Sequence, residues 1–390
     1  MDILYFCSPS LLDYSAEQIR DLKIHVTLHV VVTVFLHSPN HSIFKIKDEQ
    51  KIVAGIYTFD EIKDQIENGD LFENYFLNCK TVHFIFFSPK FGINILFSTI
   101  NLFNFIKKIK PQIIHFDDIS GRLSLLVLFL RYKNIVLNVH DPLQHSGEQN
   151  WSTKLIRFLL FRKISAFCTF SDFSRLLFEQ IYSPSVPVIG LRLVPYLSYL
   201  QCEMEKVVGI DKLPNEKILL FFGRISKYKG IDELLITFAK LKNIFPQLKL
   251  IIAGKGTYQY QIPPLLLGSP SLIIINRFIR QNEIKSIFEQ ADVLICPYKD
   301  ATQSGVLMTA AIFNTPAIVS NVGALPEYIQ DGKNGYIYDI NDENGLEKSI
   351  VKFLTHNTLT LNYSINSIVP DVSKNSLLLV DIYSNILDKY

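Results

Sequence analysis

The feature that most restricts the fold of this chain is an alternation kept up over nearly all of its 390 residues. Short apolar, β-branched runs are separated by segments whose apolar residues recur at helical spacing. Such an alternation predicts an α/β fold of the doubly wound kind, with helices covering both faces of parallel sheets. In the first half, strands are expected at Ile3 to Cys7, His25 to Val34, Val82 to Phe87, Ile113 to Phe116, Ile135 to Val139 and Ala166 to Phe170. The helices between them are expected at Ser15 to Leu22, Ile93 to Ile109, Arg122 to Tyr132, Thr153 to Arg162 and Ser174 to Tyr182. The second half repeats the theme, with strands at Ile218 to Phe222, Leu248 to Ala253, Leu272 to Asn276, Val293 to Pro297, Ala317 to Ser320 and Tyr336 to Tyr338.

A chain of this length exceeds one ordinary core and suits two domains of about 150 to 200 residues. The stretch near residues 192 to 214 carries prolines and no clear period, so the linker is placed there. The division reads as a first Rossmann-like domain at 1–195, a second at 196–370, and a terminal amphipathic helix at 371–390 that packs back on the first.

Composition closes off several classes. Charged residues make up 19% of the chain and the formal net charge is +2, so no global field draws it to nucleic acid. Five cysteines, odd in number and mostly set in apolar runs, speak against a disulfide framework or a zinc site and for a reducing compartment. The amino terminus reads as a first strand and has no basic region of a signal peptide. The most lipid-like run, Leu123 to Leu130, is bounded by Arg122 and Arg131 and falls short of the ~20 residues a spanning helix needs. A soluble, cytoplasmic protein is expected.

The chemistry concentrates in the second half. FFGRISKYKG, Phe221 to Gly230, lies at a strand-to-helix crossing, the place where parallel sheets bind ligands. Arg224 offers planar paired donors and Lys229 a compact charge, a combination that matches two adjacent phosphates, and Gly223 lets the backbone come close. A solvated surface loop is the plainer alternative for this string alone. Three further loops are expected at strand carboxyl ends in the same half. AGKGTY supplies Gly254 and Gly256 for close approach to a ring or sugar, and RFIRQNEI supplies Arg277 and the backbone of Phe278 for a base edge. In PYKDATQSGV, Ser304 and Gly305 open an apolar helix whose free amides suit a phosphate, with Thr302, Gln303 and Val306 beside them. Helix capping alone is the competing account of those small polar residues.

Taken in order, FFGRISKYKG, AGKG, ADVLICPYKDATQSGV and NVGALPEYIQDGKNGYIYD, from about Lys217 to Asp339, resemble glycosyltransferase family 4, also termed glycosyl transferases group 1. The first half, through IVLNVHDPLQHSGE and MDILYFCSPSLLDYSAEQI, is similar to an ATQSG-type branch of that family. The resemblance implies a GT-B fold, two Rossmann-like domains facing across a cleft, and transfer of a sugar with retention from a nucleotide-diphosphate donor to a glycan or lipid-linked acceptor. It implies that Arg224 and Lys229 hold the diphosphate, that His140 contacts the sugar near its reacting carbon, and that neither metal nor cofactor is needed. Bacterial surface-polysaccharide assembly at the inner face of the membrane is the implied setting. Two departures stand out. Counting back from Pro316, the two acidic positions common in the family fall on Ala301 and Thr309, or with a one-residue shift on Thr302 and Ala310. The usual Gly-rich loop after the first strand is replaced by SPSLLDYS.

Other readings stay open at this point. A nucleotide-sugar epimerase, or a catalytically silent nucleotide-sugar-binding subunit, would use the same donor loops. His140 and Asp141 could simply cap a strand and order the turn HDPLQH that ends at His145. HFDD, His115 to Asp118, could hold a divalent ion, although a cap on the next helix is preferred. WSTKLIRFLLFRKI, Trp151 to Ile164, interleaves basic and large apolar residues; it reads either as a packing helix with basic edges or as a seat for peripheral membrane association.

Overall fold

The computed structural model describes residues 1–36, 44–87, 93–119, 123–130, 132–143, 157–355 and 372–389. They form two compact units, one of Met1–Val194 with Asp371–Tyr390 and one of Pro195–Pro370.

The first unit is built on an eight-stranded sheet. Its strands are β1 (Asp2–Cys7), β2 (Thr27–Phe35), β3 (Gly55–Thr58), β4 (Thr81–Phe87), β5 (Ile113–Phe116), β6 (Ile135–Asn138), β7 (Ala166–Thr169) and β8 (Val188–Gly190). They lie in the order β3-β4-β2-β1-β5-β6-β7-β8, and all pairings are parallel except that of β3 with β4. The chain winds outward from β1 in both directions, so the turn of direction falls between β1 and β5. Leu4, Phe6, Ile114, Phe116, Leu137 and Phe167 point to one face and join a single buried cluster with Val127, Leu160 and Phe178 from the covering helices. Alternate residues such as Ile3 and Tyr5 are equally buried, which is why these strands read as unbroken apolar runs.

Helix Leu12–His25 packs against the terminal helix Val372–Leu387. The terminal helix inserts Leu379, Ile382, Tyr383 and Ile386. Polar groups fix its register: Gln18 Nε2 donates to Ser376 Oγ at 2.8 Å, and the Asn375 side chain exchanges two hydrogen bonds with the backbone of Arg192. The helix therefore belongs to the first unit. Two expectations shift. His25 closes a helix instead of opening β2, and β3 and β8 join strands that the apolar pattern marks.

The second unit holds β9 (Lys217–Phe222), β10 (Leu248–Gly254), β11 (Leu272–Asn276), β12 (Val293–Cys296), β13 (Ala317–Ser320) and β14 (Gly335–Tyr338). Every pairing is parallel, in the order β11-β10-β9-β12-β13-β14. This is the doubly wound dinucleotide-type order, with its switch point between β9 and β12. Pairing there is limited to Val293 with Leu219 and Leu294 with Leu220, whereas β9 and β10 stay paired through Phe222 and Ala253. Beyond Leu220 and Leu294 the two central strands part, and their following loops flank the gap. Helix Ile231–Ile244 buries Leu234, Leu235, Phe238 and Leu241, the stripe its spacing predicts, and keeps Asp232 and Glu233 in its first turn. Within the expected linker, Ser198–Gln201 forms a short helix against Gln281–Gln290. Among the described residues, no helix is long and apolar enough to cross a membrane.

Candidate active site

The loop after β9 begins at Gly223, whose φ of +110° belongs to the region that disfavours side chains. A Cβ there would stand 3.2 Å from Val306 Cγ2 and 3.7 Å from Lys229 Nζ. Those distances place the start of this loop, Lys229 and the first turn of helix Gly305–Ile312 side by side at the switch point. Arg224 is exposed, while Lys229 is 8% exposed.

Lys229 defines the site. Its Nζ donates to the Tyr298 hydroxyl at 2.9 Å and lies 4.0 Å from the centroid of that ring. Among the described residues it pairs with no carboxylate. Burial drives its pKa down to about 8; the nearby Cys296 works in the opposite sense, and the Arg224 charge adds to the depression. A buried ammonium without a counter-ion is costly unless an anion completes it. Burial likewise pushes the Cys296 thiol up to about 11, so it remains a neutral wall.

Several buried polar atoms of the same two loops lack a well-formed hydrogen bond. Ser226 Oγ, Gln303 Oε1 and Ser304 Oγ are buried without a well-formed hydrogen bond, although Ser304 lies within electrostatic reach of the Tyr298 hydroxyl. Ser304 occupies the N-cap position of helix Gly305–Ile312, yet its side chain makes no capping bond. Capping therefore does not account for Ser304. Buried polar atoms of this sort ordinarily have partners, and a ligand's oxygens and hydroxyls would supply them. Thr302 is buried in the same loop.

The glycines of AGKG have a structural duty. A Cβ on Gly254 would fall 1.8 Å from the carbonyl oxygen of Gly223, and one on Gly256 would fall 1.9 Å from that of Ile225. The two loops are also joined by amide bonds from Gly223 to Ala253 and from Ile225 to Lys255. Gly254 and Gly256 thus brace the loop that carries Arg224. Arg277 is held by Glu283 through two bonds of 2.7 and 2.8 Å and donates to the Phe278 carbonyl. Its guanidinium shapes the turn after β11.

Positions 301 and 309 hold no acid in space either: Ala301 and Thr309 are buried, and Thr309 Oγ1 donates within its helix to the Gly305 carbonyl. Tyr298, Ser226 and Tyr196, whose hydroxyl a Cβ on Gly305 would meet at 2.8 Å, were not singled out from the sequence. The available signal for Tyr298 was its place directly after a strand end.

In the first unit His140 follows β6. Its Nε2 lies 3.2 Å from Asp117 Oδ1, and its ring stacks on Phe170 at 4.5 Å with Tyr14 edge-on. Asp117 also accepts from the Ser15 hydroxyl and from Asn138 Nδ2. Burial lowers the His140 pKa, but Asp117 outweighs it and the net direction is up. HFDD places His115 and Asp117 fully buried at the end of β5. His115 is buried between Asn138 and Tyr383, and burial lowers its pKa to about 4. Among the described residues, no group of three or more His, Cys, Asp or Glu could hold a metal ion. His145 lies outside the described residues.

Residues 205–368 match the family model for glycosyl transferases group 1. The match spans nearly the whole second unit. An uncharacterized glycosyltransferase of Methanocaldococcus jannaschii is 31% identical over 132 residues, 33% of this chain and 34% of that one. The chain spans about a third of the length of that relative and 41% of the next, so the sequence likeness is confined to one part of each. The fold likeness extends over the whole chain. Sucrose-phosphate synthase from Thermosynechococcus elongatus superposes with a TM-score of 0.68 at 12% identity, covering 100% of this chain and 99% of that one. Anabaena HepE in complex with UDP and glucose gives a TM-score of 0.66 at 14% identity, covering 99% and 100%. The fold is GT-B, made of two Rossmann-like units.

Proposed function

We propose that the protein is a glycosyltransferase that moves a sugar from a nucleotide-diphosphate donor to a glycan or lipid-linked acceptor. The observation that carries this reading is the buried ammonium of Lys229, which pairs with no carboxylate among the described residues, at the switch point of the sheet that matches the group 1 glycosyltransferase model. Breaking the anomeric bond leaves negative charge on the terminal phosphate, so stabilising groups belong around the leaving group. Arg224, Lys229 and the amides that open helix Gly305–Ile312 are assigned that task. With two side-chain cations on the diphosphate, the reading assigns the reaction no metal or cofactor. It also assigns retention: the acceptor hydroxyl attacks the face that the phosphate leaves, and a phosphate oxygen takes its proton. His140 is assigned to the donor sugar, held by Asp117. Surface-polysaccharide assembly at the cytoplasmic face of the membrane is the setting that this reading proposes.

The test is transfer by purified protein, after a panel of nucleotide sugars has been screened for protection against thermal unfolding. Arg224→Ala should retain the fold and lose at least a hundred-fold in turnover; near-normal turnover would remove the assignment. A second reading, a nucleotide-sugar-binding subunit without turnover, rests on the lack of an acid at Ala301 and Thr309, or with the one-residue shift at Thr302 and Ala310. Donor binding with neither transfer nor hydrolysis would favour it.

A further inference from the structure

The first unit has a cavity of about 750 Å³ at the opposite end of its sheet from His140. Lys133 precedes β6, Ile164 and Ser165 precede β7, and Pro187 precedes β8, so the cavity opens at the amino ends of these parallel strands. Its wall carries Lys133, Arg162, Lys163 and Lys389, four cations, against the single carboxylate of Asp381. Its lining also includes the apolar Val186, Ile189 and Leu378. Lys163 spends its donors on the carbonyls of Leu128 and Leu130, closing the end of helix Leu123–Phe129, and contributes its field alone.

The surroundings continue the same chemistry. Arg162 lies 4.2 Å from the centroid of the Phe158 ring, which is 53% exposed, and Leu159 beside it is 42% exposed. On the terminal helix, Leu377 and the lining residue Leu378 are exposed as well. Basic groups beside apolar lining, with exposed large apolar side chains on the same elements, match a phosphate at a bilayer surface with acyl chain beneath it. We infer that this cavity seats the headgroup of an anionic phospholipid, with Lys133, Arg162 and Lys389 on the phosphate and Phe158 and Leu378 entering the acyl boundary. The inference stands apart from the transferase reading, because the cavity and His140 lie at opposite ends of the same strands.

The experiment is co-sedimentation of the full chain with vesicles of phosphatidylcholine alone and of equal parts phosphatidylcholine and phosphatidylglycerol. Binding is expected to the anionic vesicles only and should weaken at high salt. Lys133→Glu with Arg162→Glu should lower partitioning at least ten-fold, and Lys389→Gln about five-fold, the equivalent of about 1 kcal/mol per basic side chain near an anionic surface. Lys389→Gln, at an exposed position, decides the matter if the double variant does not fold. Equal binding to neutral vesicles, or anionic binding unchanged in the folded variants, would overturn the inference. So would protection of the wild type by inorganic phosphate without any vesicle binding, which would make the cavity a site for a small soluble anion.

Discussion

The ammonium of Lys229 and the hydroxyl of Tyr298 are 2.9 Å apart, and the same ammonium lies 4.0 Å from the centroid of the Tyr298 ring. The ring and its oxygen partly compensate a charge that burial disfavours. Because the partner is neutral, and no carboxylate among the described residues pairs with Lys229, the cation is available to the diphosphate that the proposed function places there.

That relationship makes the nucleotide-free protein less stable than it could be. Burial lowers the Lys229 pKa from its ordinary 10.5, the value of the unfolded chain, to about 8. The unfolded chain binds more protons between these values, so stability should rise with pH across that window and carry the full penalty below it. Lys229→Met should therefore raise the stability of the nucleotide-free protein at neutral pH by roughly 2 kcal/mol. The same variant should lose binding of a nucleoside diphosphate. Calorimetry with and without UDP checks both halves; a destabilised variant that still binds would contradict the account.

Gly223→Ala should damage donor binding without removing any charged group. The added Cβ meets Val306 Cγ2 at 3.2 Å, close to Lys229, and Gly223 has φ of +110°. Backbone strain alone should cost about 1–3 kcal/mol, and nucleotide affinity should fall at least ten-fold by titration. Adding Val306→Ala relieves the contact and not the backbone, so affinity should return more fully than thermal stability.

Glu283 anchors the turn after β11 through Arg277 and Arg280. Burial raises its pKa, but the two guanidiniums outweigh it and bring it down to about 2. With the folded value depressed, the stabilisation is complete above the unfolded value near 4.5 and is lost as pH falls toward 2. Glu283→Gln should cost roughly 2 kcal/mol at pH 7 and flatten the acid limb of the unfolding curve. An unchanged acid limb would show that the pair contributes nothing.

Asp117→Asn should lower the pKa of His140, because the carboxylate 3.2 Å away holds the imidazolium. For His140 the folded value is raised, so its contribution is present below the unfolded value near 6.5 and fades as pH rises through the folded one. Ring-proton NMR across pH 5 to 9 reads the shift directly. A titration midpoint that stays in place would assign the elevation to other groups.

The second sheet was legible almost residue by residue, because buried parallel strands are short apolar runs and amphipathic helices separate them. Strand β3 was not, since Gly55 to Thr58 carries little apolar signal and is held by its antiparallel partner β4. Strand β8 is a three-residue edge whose place depends on β7. The loop strings pointed to Gly223, Lys229 and Ser304. They did not reveal that Gly254 and Gly256 serve loop-to-loop contact, that Arg277 is committed to Glu283, or that Tyr298 carries the lysine.

What the chain determined by its order alone is the alternation of strand and helix, and with it the doubly wound units and the loops at the strand ends. Those properties follow from local periodicity and from chirality, which act over a few residues. What only the tertiary structure decided is which side chains meet: His115 with Tyr383, Asp117 with His140, Lys229 with Tyr298. Residues 23 to 268 positions apart along the chain become neighbours through sheet order and helix packing, and burial at those meetings sets each charge.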